Sequence, residues 1–332
     1  MTIYHIAKFD CFKSSRLNMQ SKWDEESVFV HLSTLNQENS YLLSVRQIKQ
    51  LLKFSQSKDK FVFHAQASLP YLLYFLFFGL INRKKAVYDI HDINIIPKEI
   101  SYMKLRALMM YLLEYFTLKF FKISSITVSK GLAIVMARRY KVTRPKVVRN
   151  ISADLPERMP VKTITGKKMV YFGTFDRLPN EFFDQLKREN LSIDIFGRFN
   201  NASATPSMQK AIQSGMVNYR GEYNPKGMDF LKEYSYLYYN IDPPDANYQF
   251  AGPNKFFQAL TYGLTLLIPK GYRELRYLLN GTPGAYKILE GNISELLTSD
   301  SKHGEDYFSK VANLMTLMKS ESMNNYLSVL NT

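Results

Sequence analysis

Short apolar runs alternating with helix-period segments constrain this chain more than any other feature, because a strand–helix–strand order admits few architectures. β-Rich runs at 28–32, 60–64, 86–90, 125–128 and 146–148 are interleaved with helical segments at 70–81, 102–122 and 129–140. Within 102–122, Leu105, Leu108, Met109, Leu112, Leu113, Phe116 and Phe120 recur near the 3.6-residue period of a helix. Ser129 stands where it can cap the helix after it. The stretch 151–166, ISADLPERMPVKTITG, has two prolines and little periodicity and reads as a linker. The pattern then restarts, with strands at 169–172, 192–196, 217–220 and 236–241, helices at 180–189 and 225–233, and a terminal helix at 308–329. This order predicts an α/β protein with parallel, doubly wound sheets. Two domains are expected, at 1–155 and 156–315, with 316–332 a C-terminal helix that can pack back on the first.

Composition narrows the class. The chain has 332 residues, 46% of them hydrophobic and 14% aromatic, enough for two ordinary cores and too apolar for disorder. Its single cysteine, Cys11, excludes an internal disulfide and cysteine-based zinc sites, in keeping with a reducing compartment. The opening MTIYHIAKFD lacks the basic-then-apolar pattern of a signal peptide, so a cytoplasmic location is expected. The longest apolar run, 69–81, is shorter than a bilayer span. It reads as a buried helix, or as one dipping into a membrane interface with Arg83, Lys84 and Lys85 on lipid headgroups. The formal charge of +15 suits polyanions: nucleic acid, an anionic membrane face or phosphorylated ligands. No zinc-finger spacing or RNP-type segment accompanies it, which sets membrane and phosphate above nucleic acid.

The segment Gly252-Pro253-Asn254-Lys255-Phe256-Phe257-Gln258-Ala259-Leu260-Thr261-Tyr262-Gly263, followed by Leu264 to Ile268, reads as a loop, a short helix, a glycine stop and a buried strand. A loop feeding a helix N-terminus at a sheet edge offers free N–H groups and the positive end of a dipole to phosphate, and Lys255 adds a cation in the first turn. The segment resembles the nucleotide-sugar motif of GT-B glycosyltransferases of the family 4-like group, roughly P-N-K-hydrophobic-x-E-x-hydrophobic-x-x-G-x-P. Gln258 stands in the place of the usual Glu and Thr265 in that of a frequent Pro. Further elements resemble the family in order: Asp89-Ile90-His91-Asp92 its "x-H-D" strand end, Ile126 to Leu132 its strand, V-S and helix element, and Tyr171-Phe172-Gly173-Thr174-Phe175 the opening of its C-domain. The likeness covers roughly 60–290 and is weakest in the first 50 residues, where the glycine-rich loop common after the first strand is missing.

The resemblance implies a GT-B fold, two Rossmann-like domains facing a cleft. The N-terminal domain would bind the acceptor and the C-terminal domain the nucleotide sugar. It further implies hexosyl transfer from a nucleotide-diphosphate donor, UDP first, to a glycan or polyprenyl-linked glycan in surface-polysaccharide (capsule or O-antigen) assembly, with retention of configuration. The protein would lie in the cytoplasm or against the inner face of the membrane. No D-x-D loop for a divalent cation occurs, so no metal and no cofactor beyond the nucleotide sugar are expected. Charge on the departing diphosphate would be met by side-chain cations and a helix N-terminus. The donor-site candidates are Gly173, Arg177, Arg198, Tyr223, Pro253, Asn254, Lys255 and Gln258. Arg177 stands in the loop after the Gly173 strand, where relatives place a diphosphate-binding Arg; the Lys usual a few residues later is absent. Gln258 can accept one ribose hydrogen bond and donate another. Phe250 stands where many relatives carry a sugar-contacting Glu. On the N-terminal side His91 and Asp92 are the catalytic candidates. An imidazole at a strand end can donate to a sugar hydroxyl or accept the acceptor's proton, or it is a structural His held by Asp89 or Asp92. Asp92 serves as a general base if the transfer inverts configuration, or caps the next helix. A non-catalytic GT-B subunit binding a glycan or partner enzyme is the alternative, since two acidic positions are lost, and a basic nucleic-acid-binding protein is the third.

Overall fold

The computed structural model describes residues 1–7, 15–31, 57–92, 102–151, 167–174, 178–198, 206–223, 227–240, 250, 254–298 and 305–332. The chain divides into two compact units. The first comprises Met1–Ala153, Phe250–Gly252 and Leu317–Thr332, the second Asp154–Gln249 and Pro253–Thr316.

Unit 1 is built on a parallel sheet of β1 (Thr2–Ala7), β2 (Glu26–His31), β3 (Lys60–His64), β4 (Ala86–Ile90), β5 (Ser124–Thr127) and β6 (Lys146–Val147), in the order β2-β1-β3-β4-β5-β6. Strand alternation sends Ile6, Phe61, Phe63, Tyr88 and Ile90 into one core layer with Leu72, Phe75, Leu132 and Met136. Ile3, Val62, Val87 and Ile126 enter the other, under Tyr326, Val329 and Leu330 of the C-terminal segment. That segment is tied to the sheet by Ser322 Oγ, which accepts from Arg149 N at 3.0 Å, and by Asn325 Nδ2, which donates to Val147 O at 2.9 Å. The Lys130–Tyr140 helix starts where Ser129 Oγ accepts from Leu132 N, and ends on left-handed Lys141.

Unit 2 carries β7 (Met169–Thr174), β8 (Ile193–Arg198), β9 (Val217–Tyr219), β10 (Tyr236–Tyr238), β11 (Thr265–Ile268) and β12 (Tyr286–Ile288), all parallel, in the order β12-β11-β10-β7-β8-β9. The chain runs outward from β7 on one side and restarts at β10 on the other. The direction therefore reverses between β7 and β10, a topological switch point where a ligand crevice forms at the strands' carboxyl ends. In unit 1 the corresponding reversal lies between β1 and β3.

Several elements differ from the sequence expectation. The helix expected at 70–81 is Leu69–Phe77 and stops before Gly79, whose φ is +63°. The helix expected at 102–122 is Tyr102–Tyr115 followed by one wide π turn, Phe116–Phe120. The helix expected at 225–233 is a 3-10 turn at Asp229–Glu233 within the described residues. β1, β12 and the Ser15–Ser21, Pro206–Gln213, Arg273–Leu279 and Ile293–Thr298 helices have no counterpart in the sequence reading. The expected linker falls outside the described residues from 152 on.

Candidate functional site

In unit 2 the motif helix Asn254–Thr261 buries Phe256, Phe257, Ala259 and Leu260, which fixes its first turn at the switch point. There Lys255 Nζ lies 4.7 Å from the centroid of the Tyr171 ring and 5.0 Å from that of Tyr239. Tyr171 belongs to β7 and Tyr239 follows β10, so the two rings come from the strands flanking the reversal, and they stack at 6.4 Å. Phe256 and Tyr272 pack edge-on against Tyr239 at 4.4 and 5.6 Å and hold it in place. Ring faces attract a cation, but burial in this apolar surround still pulls the Lys255 ammonium down to about 7. Among the described residues no carboxylate offsets that fall.

The floor beside Lys255 is bare backbone. Gly173, at the end of β7, has φ +117°, and a Cβ there would stand 2.6 Å from Lys255 Nζ. Gly197, at the end of β8, has φ +142°, and a Cβ there would meet Gly173 O at 1.8 Å. Only glycine fits either place, so two adjacent strand ends expose main chain next to a partly neutral lysine and the start of a helix. This arrangement suits the approach of a phosphate. Tyr223 borders the same region, with its ring 5.7 Å from Phe172 and 5.9 Å from Phe230. Gln258, partly exposed, lies one helical turn beyond Asn254 on the same side. Arg198 ends β8; Arg177 and Pro253 lie outside the described residues. Arg220, just past β9, is exposed and paired with Asp194, Nε to Oδ2 3.0 Å. A shallow surface hollow of about 320 Å³ lined by Arg273, Arg276, Tyr277, Asn280 and Tyr286 shares none of these residues.

In unit 1, polar groups replace apolar ones toward the carboxyl edge of one sheet face. The Asp89 carboxylate on β4 is buried and receives Arg16 of the Ser15–Ser21 helix in a fork, Nε to Oδ2 2.7 Å and Nη2 to Oδ1 2.6 Å. Arg16 Nη1 also donates to Val148 O at 2.6 Å and Asn150 Oδ1 at 2.9 Å, and Gln20 Nε2 to Asp89 Oδ2 at 3.0 Å. A chain of short contacts continues from Asp89: His64 Nδ1 at 3.0 Å, His64 Nε2 to His5 Nδ1 at 2.9 Å, and His5 Nε2 to Asp24 Oδ2 at 2.8 Å. Burial alone would raise Asp89, but Arg16 and the neighbouring histidines hold it well below the usual carboxylate range. Burial drives His64 down to about 3 against the pull of Asp89, so it is uncharged.

His91, just past β4, is half-buried with Nε2 3.4 Å from Asp89 Oδ2, and its ring meets that of His64 edge-on at 5.9 Å. Asp92 is exposed, and its backbone carbonyl accepts from Gln66 Nε2 at 3.1 Å. His64, Asp89 and His91 bring ligand atoms within 4.8 Å of one another, a spacing that could bracket a cation. Both Asp89 oxygens already face a guanidinium, and both His64 nitrogens are engaged. The donor set therefore does not fit a metal.

Sequence reasoning missed Arg16, His5, Tyr171 and Tyr239. Tyr171 stands in the middle of β7 and Tyr239 just past β10, and nothing in either segment marks the ring as part of a site. Arg16 carries no local signal, since its partner is 73 residues away. Phe250, in the place of the expected acidic residue, lies within unit 1 and packs on Gly131, where a Cβ would stand 2.5 Å from its ring.

No family model matches the chain, and no curated protein matches it. Solved structures do. One is the crystal structure of AviGT4, a glycosyltransferase involved in avilamycin A biosynthesis, with TM-score 0.57 and 9% identity over 100% of this chain and 98% of that one. Another is an alpha,alpha-trehalose-phosphate synthase (UDP-forming) from Burkholderia vietnamiensis, with TM-score 0.51 and 11% identity over 99% of this chain and 98% of that one. The protein has the GT-B glycosyltransferase fold, with two six-stranded parallel sheets flanked by helices.

Proposed function

We propose that the chain is a glycosyltransferase that moves a sugar from a nucleoside diphosphate, bound on unit 2, to a hydroxyl of a glycan or polyprenyl-linked glycan bound by unit 1. The observation that carries this reading is Lys255 at the β7/β10 switch point, held between two tyrosine rings against the bare backbone of Gly173. Its ammonium and the first N–H groups of the Asn254–Thr261 helix would take the charge that builds on the departing diphosphate. Gln258, one turn on, would hydrogen-bond the ribose, and Tyr223 would border the base. His91, backed by Asp89, would donate to a sugar hydroxyl or accept the acceptor's proton. One fold neighbour is described as UDP-forming, which makes UDP the first nucleotide to test. The lack of a D-x-D loop and the unsuitable donor set around Asp89 support transfer without a metal. A hexosyl donor, retention of configuration and a place in surface-polysaccharide assembly are carried over from the motif resemblance.

The test is calorimetric titration with UDP, followed by product formation with a panel of UDP-, GDP- and dTDP-sugars. Binding with turnover of one donor is the expected result. Absence of nucleotide binding overturns the reading. Binding without turnover favours a non-catalytic glycan- or partner-binding subunit, which the Phe250 and Gln258 replacements support.

A further inference from the structure

A helix of an α/β unit normally turns its apolar stripe to the sheet. The Tyr102–Tyr115 helix and its π turn do so with Met110, Tyr111, Leu113 and Leu118, but they carry a second apolar stripe facing outward. Leu105, Leu108, Met109, Leu112, Phe116 and Phe120 follow helical spacing and expose 40 to 64% of their surface. The reason lies on the inner side. Glu114 is buried and accepts from Tyr88 Oη at 3.1 Å and Tyr140 Oη at 2.5 Å. These bonds fix the rotation of the helix. At about 100° per residue, Leu105, Leu108, Met109 and Leu112 lie roughly 140–240° around the axis from Glu114, so they face outward.

The apolar surface continues beyond this helix. Phe77 and Phe78, at the end of the Leu69–Phe77 helix, are 61% and 68% exposed. Phe77 meets Phe121 edge-on at 5.0 Å, and Phe121 meets Phe120 at 5.1 Å, which joins the two helices' exposed rings into one patch. Contiguous exposure on this scale marks an interaction surface. Charge identifies what covers it. Residues 65–150 hold fifteen Lys and Arg against four Asp and Glu, and two of the four, Asp89 and Glu114, are buried. Lys119 lies within the π turn and donates to Lys141 O at 3.1 Å, which brings the exposed Arg138, Lys141 and Arg144 segment to the patch. Aromatic and aliphatic side chains ringed by cations match an anionic lipid surface, with rings in the acyl boundary and cations among the headgroups. A protein partner would need a comparably acidic rim.

We infer that this face of unit 1 docks on an anionic bilayer, with the Leu105–Phe120 stripe and Phe77–Phe78 entering the interface. The inference goes beyond the transfer reaction and does not depend on it. The test is flotation of the full chain with vesicles of phosphatidylcholine, alone or mixed equally with phosphatidylglycerol. Partition is expected onto the mixed vesicles only, falling at least tenfold when salt is raised from 0.1 to 0.5 M, since salt screens headgroup attraction. Leu108→Gln/Leu112→Gln/Phe120→Gln and Arg138→Gln/Lys141→Gln/Arg144→Gln should each lower it at least tenfold, with far-UV circular dichroism unchanged. Phe120→Trp, in an otherwise native chain, gives a second readout that survives misfolding of either triple variant: its emission should shift to the blue on mixed vesicles. Equal partition onto neutral and anionic vesicles, or no shift from the Phe120→Trp chain, overturns the inference. So does a salt-independent dimer in sedimentation that the apolar substitutions disperse, since a second copy would then cover the patch.

Discussion

Lys255 makes nucleotide affinity a titration. Burial lowers it to about 7 in the free protein, while a bound diphosphate would restore it toward the ordinary lysine value near 10.4. Binding then takes up a proton wherever the free protein lacks it, so affinity falls as pH rises above 7. Half the molecules carry the ammonium at pH 7 and about 3% at pH 8.5, so the dissociation constant for UDP should rise about fifteenfold, or about 1.6 kcal/mol. The terminal phosphate of UDP, with a second pKa of about 6, is already ionised throughout this window. Calorimetry in buffers of differing ionisation enthalpy should show proton uptake approaching one per nucleotide at pH 8.5. Lys255→Met should remove a charge-assisted contact of about 1.5–3 kcal/mol and flatten the profile. It should not destabilise the fold, because a methionine keeps the contact with Tyr171 and Tyr239 without a buried charge. A wild-type affinity that stays flat from pH 7 to 8.5, or a methionine variant with the same slope, would refute this account of the site.

Further expectations follow from the same geometry. Asp89→Asn leaves the buried Arg16 guanidinium without its counter-charge and should cost unit 1 about 3–5 kcal/mol in urea unfolding; an unchanged midpoint would show that the pair is dispensable. Gly197→Ala must displace the Gly173 carbonyl and should destabilise unit 2 by more than about 2 kcal/mol through clash and backbone strain, while a wild-type melting profile would contradict it. Sugar transfer should continue in EDTA; loss of activity restored by Mg²⁺ or Mn²⁺ would overturn the assignment of diphosphate charge to Lys255 and the helix N-terminus.

The parallel sheets were legible because most of the strands are short apolar runs bounded by polar residues, a local property. Lys255, Gly173 and the helix between Asn254 and Thr261 were legible for a similar reason, since spacing within one segment fixes where its lysine stands. β1 was missed because the Thr2–Ala7 stretch, TIYHIA, places His5 among its buried residues, where composition suggests solvent. That histidine is satisfied by His64, 59 residues on, and no local pattern announces such a contact. The outward turn of 102–120 was hidden too. Its 3.6-residue stripe reads as a core face until Glu114 is seen to be fixed on the other side by Tyr88 and Tyr140.

The run Asp24–His5–His64–Asp89, with contacts of 2.8, 2.9 and 3.0 Å, has a consequence in protons, because burial lowers His64 to about 3. Below its ordinary value near 6.5 the unfolded chain binds the more protons, so unit 1 gains stability as pH rises from about 3 to 6.5, and this contribution is complete above that. Lys255 acts in a higher window: its native pKa is depressed to about 7, so unit 2 gains stability as pH rises from 7 toward 10. Trp23 is the sole tryptophan and packs against Tyr326 in unit 1, so its fluorescence follows that unit alone while far-UV circular dichroism follows both. Alkaline solution should therefore draw the two unfolding curves apart, turning one chain with one melting transition into two.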